Sequence, residues 1–321
     1  MDKKKLTGQL LVILGIIVFF ASFNIIIFFM FTKPCLPAGE LSPSEPKTIS
    51  VEKYLPFDEN SKIVRIESDL EITGDIPVLD GSEALYPIYS AVAYSIYPEN
   101  SVSFSYGEFS EESSVQMKNT IRGFTAVVDG DTDIFLTAKP SENQMNYAKE
   151  KGVELEFVPI GKEAFVFIVN KGNKVSDLSV DEIRKIYSGE ITNWADVGGE
   201  FLPINPIQRL ENSGSQSTMK AFMKDTEMKS NPLGFLGRSI GFSFRYYVRD
   251  VAENGGIKIL SVGGIYPDKE NIINGNYPVV ADFYAVYRKD NDNGNVQKVI
   301  EFFKSEEGKQ IISETGYVPY E

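Results

Sequence analysis

From about residue 62 onward, short apolar segments alternate with amphipathic ones, and this alternation narrows the possible folds more than any other feature of the chain. Runs such as Asp133–Thr137 and Ala164–Val169 are too short for helices and carry the β-branched and aromatic residues of buried strands. Around Leu85–Tyr97, Gly123–Val128, Val180–Tyr187, Ser217–Met223, Val296–Lys304 and Gly308–Glu314 the pattern instead predicts helices. A chain that keeps switching between these two periods predicts an α/β fold, with helices covering a sheet. Local punctuation agrees. Ser179 and Glu182 have capping-box spacing, Gly189 is placed to end that helix, and Pro87 falls in a first turn where a missing N–H is harmless. Further strands are expected at Ile207–Arg209, Ile257–Leu260 and Tyr277–Arg288.

Composition removes whole classes of chemistry. The 321 residues include no histidine and one cysteine, Cys35. His-based general-base catalysis, a Ser-His-Asp triad and most zinc sites are therefore excluded, as are an internal disulfide and any CxxC pair. Asp and Glu outnumber Lys and Arg 45 to 32, a net charge of −13, which argues against a nucleic-acid partner. No compact carboxylate cluster is visible, and Ser213 has no activating neighbour in the sequence. The chain reads as a binding protein, not an enzyme, with no cofactor.

At the N-terminus, Lys3, Lys4 and Lys5 precede an uncharged stretch whose core, Leu10–Phe31, has 22 residues. As a helix it would span roughly 33 Å, enough for the hydrocarbon of a bilayer. A cleaved signal peptide would have a shorter apolar region, and the Thr32-Lys33-Pro34 that precedes Cys35 does not resemble a lipoprotein signal. Residues 1–35 are accordingly expected to be a cytoplasmic tip and a membrane anchor. The Pro- and Ser-rich residues 36–61 are expected to be a linker to a domain outside the membrane.

Three loops place small or hydroxyl residues just ahead of a predicted helix: Gly81–Ala84, Asn119–Gly123 and Asn212–Ser215. A helix N-terminus offers unpaired N–H groups to an anion, and Ser or Thr adds hydroxyl donors. Arg209–Ser215 is the sharpest of these regions, with an arginine fork, Glu211, Ser213 and Ser215 in seven residues. A carboxylate at Glu211 would accept the proton of hydrogen phosphate, which sulfate lacks near neutral pH. The competing reading is a surface Arg-Glu pair beside a capped helix. Tyr86, Phe244, Tyr246, Tyr247 and Tyr266 fall near the same loops, where core packing accounts for most of them, and Trp194 is expected to be a packing anchor. Asp290–Gly294 reads as a solvated turn, its glycine misplaced for a calcium loop.

The stretches "GDTDIFLTAKPS", "SGEITNWADVGG", "ENSGSQST" and "GKQIISETGYVPY", in this order, resemble the phosphate-binding component of bacterial ABC importers, within the type II periplasmic binding-protein superfamily. The resemblance implies two α/β lobes joined by hinge strands, preceded here by the transmembrane helix. The first lobe would hold residues 62–162 and 273–321, the second 163–272. It further implies that Arg209, Glu211, Ser213, Gly214 and Ser215 contact the oxyanion from the second lobe, with Ser82, Thr120, Arg122 and Thr137 facing them from the first. Departures from the family pattern fall at Glu211-Asn212, at Ala84-Leu85 and at Ala138-Lys139. The implied function is a membrane-anchored, extracytoplasmic and monomeric solute-binding protein. It would capture phosphate or a related oxyanion for ABC permease subunits. A tethered binding or sensor domain for another, including an organic, solute is the alternative.

Overall fold

The computed structural model describes residues 50–224 and 226–320. The expected anchor lies outside the described residues, among which no helix is long and apolar enough to cross a membrane. Among the described residues twelve strands occur in chain order. They are β1 (Leu79–Gly81), β2 (Phe104–Ser105), β3 (Glu108–Phe109), β4 (Ile134–Ala138), β5 (Leu155–Asn170) and β6 (Asp177–Leu178). Then follow β7 (Ile204–Pro206), β8 (Arg238–Phe244), β9 (Ile257–Ile259), β10 (Ser261–Val262), β11 (Val280–Arg288) and β12 (Val318–Pro319). The main sheet runs β1-β4-β11-β5-β8-β7, and β12 and β9 also pair with β5.

The 16-residue strand β5 belongs to two layers in turn. Its Leu155–Ala164 half pairs antiparallel with β11, and its Phe165–Asn170 half pairs with β8 and β9. The chain crosses back beside it, where the Phe165 N–H donates to the Val279 carbonyl at 2.9 Å. Each half serves its own core. One core packs Leu79, Tyr86, Tyr89, Leu136, Val299 and Phe303. The other packs Phe165, Phe167, Ile168, Tyr187, Trp194 and Phe242. The continuous apolar run Ala164–Val169 is explained by this position, since the strand is covered on both faces and those residues have no exposed area. Gly161 is a point of close packing on β5. The ring of Phe283 and the carbonyl oxygen of Val318 occupy the space that a Cβ there would need.

At the crossing itself sits a buried ion pair. Glu163 Oε1 accepts the Ala164 N–H at 2.8 Å and the Arg245 Nε–H at 3.2 Å. Arg245 also donates from Nη2 to the Gly316 carbonyl at 2.7 Å, so its fork ties β5, the end of β8 and the C-terminal segment together. Burial raises the Glu163 pKa above the usual carboxylate range even with Arg245 opposing the shift.

Several elements begin elsewhere than the sequence pattern suggests. The strand near 207 is Ile204–Pro206, and Ile207–Leu210 leave the sheet. Pro206 has no N–H to extend a ladder, and the departing segment brings Arg209 toward the other lobe. The following helix is Gly214–Met223, because Ser213 caps it by accepting the Gln216 N–H. A second early start, Asn119–Asp129, follows from the Asn119 side chain, whose Oδ1 accepts the N–H groups of Ile121 and Arg122. The capping box of Ser179 and Glu182 and the left-handed Gly189 stop are both present. Trp194 is 1% exposed and its Nε1–H donates to the Arg238 carbonyl at 3.0 Å. Asp290 accepts from Arg288 within an exposed turn.

Candidate functional site

The two cores leave a cleft of about 540 Å³ between them. Each wall is built from the loops that follow strand ends. The loop after β1 supplies Ser82, Glu83 and Ala84, and the start of helix Asn119–Asp129 supplies Thr120, Ile121 and Arg122. From the opposite wall come Arg209 and Leu210 after β7, Ser213, Gly214 and Ser215 at the start of helix Gly214–Met223, Phe244 at the end of β8 and Tyr247 after it. Seven of the residues expected from sequence therefore meet around one space: Ser82, Thr120, Arg122, Arg209, Ser213, Gly214 and Ser215.

Two do not line it. Glu211 is half-exposed and points to the surface, where its carboxylate binds Lys220 Nζ at 2.5 Å. The cause is Asn212, whose left-handed backbone (φ 65°) reverses the chain between Arg209 and the helix and sends the two side chains apart. Thr137 is buried inside β4, one residue short of the cleft, and Ala138 takes the lining position.

The carboxylate that does share the cleft is Glu83. Its pKa is raised by burial and held back by the charge of Arg209. Burial lowers the Arg209 pKa, opposed by Tyr247 and Glu83, and the guanidinium remains a cation. Among the described residues that guanidinium has no hydrogen bond, so its donors face the cleft uncommitted; the backbone N–H of Arg209 is fixed by Gln216 Oε1 at 2.8 Å. Tyr247 completes the group. Its hydroxyl is buried with no partner among the described residues, and burial, with Glu83 nearby, pushes its pKa up to about 12. The arginine was legible from its motif. Glu83 and Tyr247 fall in or near the loops the sequence singled out, but only the tertiary fold shows that they meet Arg209.

Beneath the first wall lies a second unusual acid. Asp80, at the end of β1, has no exposed area. Its Oδ1 accepts the N–H groups of Gly81 at 2.7 Å and Lys118 at 3.0 Å, so the carboxyl holds the Gly81–Ala84 loop against the Asn119 helix. Its Oδ2 has no partner among the described residues. Burial raises its pKa from 3.8 to about 6, against the two N–H bonds and the charges of Lys118 and Arg122. A carboxyl with a raised folded pKa favours folding most at low pH, where both states are protonated, and that contribution is lost as the pH climbs through the folded value. The domain should lose about 3 kcal/mol from this group between roughly pH 4 and pH 6. Asp80→Asn should be the more stable chain at pH 7.5 and lose its advantage at pH 4. Urea unfolding at the two pH values measures this, and equal differences at both would remove Asp80 as the cause.

A two-lobed α/β domain with helix starts facing each other across a cleft is the architecture of a solute-binding protein of the periplasmic-binding-protein type. A family model described as a PBP superfamily domain matches residues 74–307, and the chain belongs to that superfamily. Among curated proteins, the phosphate-binding protein PstS of Bacillus subtilis (strain 168) is 26% identical over 250 residues, covering 75% of this chain and 79% of its own. The protein SphX of Synechococcus elongatus is 24% identical over 266 residues, covering 75% and 76%. Two solved structures share the fold. One is a phosphate-bound ABC transporter substrate-binding protein from Clostridium perfringens, at TM-score 0.58 and 22% identity, covering 76% of this chain and 99% of its own. The other is an ABC-type phosphate transport receptor from Vibrio cholerae, at TM-score 0.54 and 21% identity, covering 75% and 99%.

Proposed function

We propose that this chain captures phosphate outside the cytoplasm, held at the membrane by residues 1–35, and presents it to the permease subunits of an ABC importer. The observation that carries this reading is the convergence of Arg209 and the Ser213–Ser215 helix start with Ser82 and Thr120 across one cleft. An arginine fork, helix N–H groups and hydroxyls are the donors a tetrahedral oxyanion needs when it leaves water. The names of the curated relatives support the choice of phosphate. Capture works by closure, because donors from both walls reach one anion only when the lobes meet. Ser141 Oγ donates to Asn212 Oδ1 at 2.9 Å across the gap, a contact between the lobes that is already in place.

In this reading Glu83 takes the role the sequence pattern gave to Glu211. Its carboxylate sits opposite Arg209, where it accepts the proton of hydrogen phosphate and repels an ion with none to give. Calorimetric titration of the detergent-solubilised full chain with orthophosphate and sulfate tests both parts. Binding of phosphate at one site is expected, with sulfate much weaker. Glu83→Gln should narrow the phosphate-to-sulfate ratio at least tenfold. An unchanged ratio would take this role from Glu83, and the absence of phosphate binding by the parent chain would end the functional reading.

A further inference from the structure

Orthophosphate presents oxygen on every side, so a cleft shaped for it alone surrounds it with donors and sets no apolar wall against it. This cleft is asymmetric. Its donors include Arg209, Ser213–Ser215, Thr120 and Arg122, whereas Ala84, Ala138 and Phe244, with the Ser82 hydroxyl among them, form a largely apolar floor. The floor continues into a crevice of about 20 Å³ lined in part by Leu85, Phe283 and Tyr317. Glu163 and Asp282 also line that crevice, and their carboxyls disfavour an anionic group there.

Size points the same way. At about 540 Å³ the cleft is far larger than a five-heavy-atom ion, and it falls in the range of roughly 300–1,000 Å³ typical of organic ligands. Ser141 and Asn212 already bridge the lobes, and a Cβ on Gly214 would stand 3.8 Å from Thr120 Oγ1 and 4.0 Å from the Phe244 ring.

Resting on the oxyanion reading above, we propose that the preferred ligand is a monosubstituted phosphoryl compound, a phosphonate or phosphate monoester with a small apolar substituent. The phosphoryl oxygens lie on Arg209 and the Ser213–Ser215 helix start. The substituent lies on Ala84, Ala138 and the Phe244 ring, directed toward the crevice. Orthophosphate uses the first half of the site and leaves the second to water.

The test titrates the detergent-solubilised full chain, freed of phosphate, with orthophosphate, methylphosphonate and phenylphosphonate. Phenylphosphonate is expected to bind at least tenfold tighter than orthophosphate, with methylphosphonate between them. Ala138→Leu, which fills the floor, should cut the phenylphosphonate-to-orthophosphate affinity ratio at least tenfold. Phe244→Ala, which removes the aromatic wall, should lower the same ratio and covers the case in which the leucine variant fails to fold. Orthophosphate binding as tightly as phenylphosphonate, or tighter, overturns the proposal while leaving the oxyanion site intact. If none of the three binds, the oxyanion reading fails and this proposal falls with it.

Discussion

An Arg209→Ala chain is expected to lose at least a hundredfold in phosphate affinity, enough to leave no measurable heat where the parent saturates. Arg209 is partly buried in the cleft wall, and its fork has no hydrogen bond among the described residues that a ligand would have to break. Each charge-assisted bond to an oxyanion is worth roughly 1.5–3 kcal/mol, so losing a bidentate pair already exceeds a hundredfold. The loss is compounded by what stays behind. With the guanidinium gone, Glu83 faces the cleft without the charge that opposed its shift, which makes the site less favourable for an anion. Arg209→Lys should recover part of the affinity, since it restores a charge without the planar fork. Thermal unfolding gives an independent reading, because added phosphate stabilises only a chain that binds it. Parent-like affinity in the alanine variant would move the site elsewhere.

The largest expected loss of stability is at the crossing between the lobes. Arg245→Leu should destabilise the domain by about 3–5 kcal/mol, the usual cost of leaving one member of a buried ion pair without its partner. Glu163 is only 2% exposed, and one of its oxygens already has no hydrogen-bond partner among the described residues. Without Arg245 its pKa rises further. A carboxyl of that kind contributes stability below its unfolded pKa and loses it as the pH rises through the folded value, so the variant's deficit should be small near pH 4 and full at pH 7.5. Glu163→Gln in the leucine background should restore part of the loss, since the amide oxygen can still accept the Ala164 N–H. Urea unfolding across that pH range decides it, and a midpoint unchanged from the parent would show that the pair is dispensable.

What sequence could and could not show follows from the range of each interaction. The capping box of Ser179 and Glu182 is a contact between near neighbours, and the pattern displays it directly. The Ala164–Val169 run likewise declared a strand buried on both faces. Arg209 and the Ser213–Ser215 turn were readable as cleft residues because they lie close together in the chain. Glu211 misled for the same reason, since adjacency in the chain carried no knowledge of the left-handed turn at Asn212. Thr137 and Ala138 show how a single step along a strand decides which side chain lines the cleft. The loop that carries Glu83 was legible, but its pairing with Arg209 was not, because that partner arrives from the other lobe.

Strand β5 has a thermodynamic implication of its own. A polypeptide whose two cores are joined by flexible tethers melts in separate steps, but here one unbroken strand contributes Ile160 to one core and Phe165 to the other. Fraying either half pulls hydrogen bonds out of the ladder that the other half needs. The lobes are thus coupled as a single cooperative unit, and the free energy gained at the cleft is distributed through the whole domain.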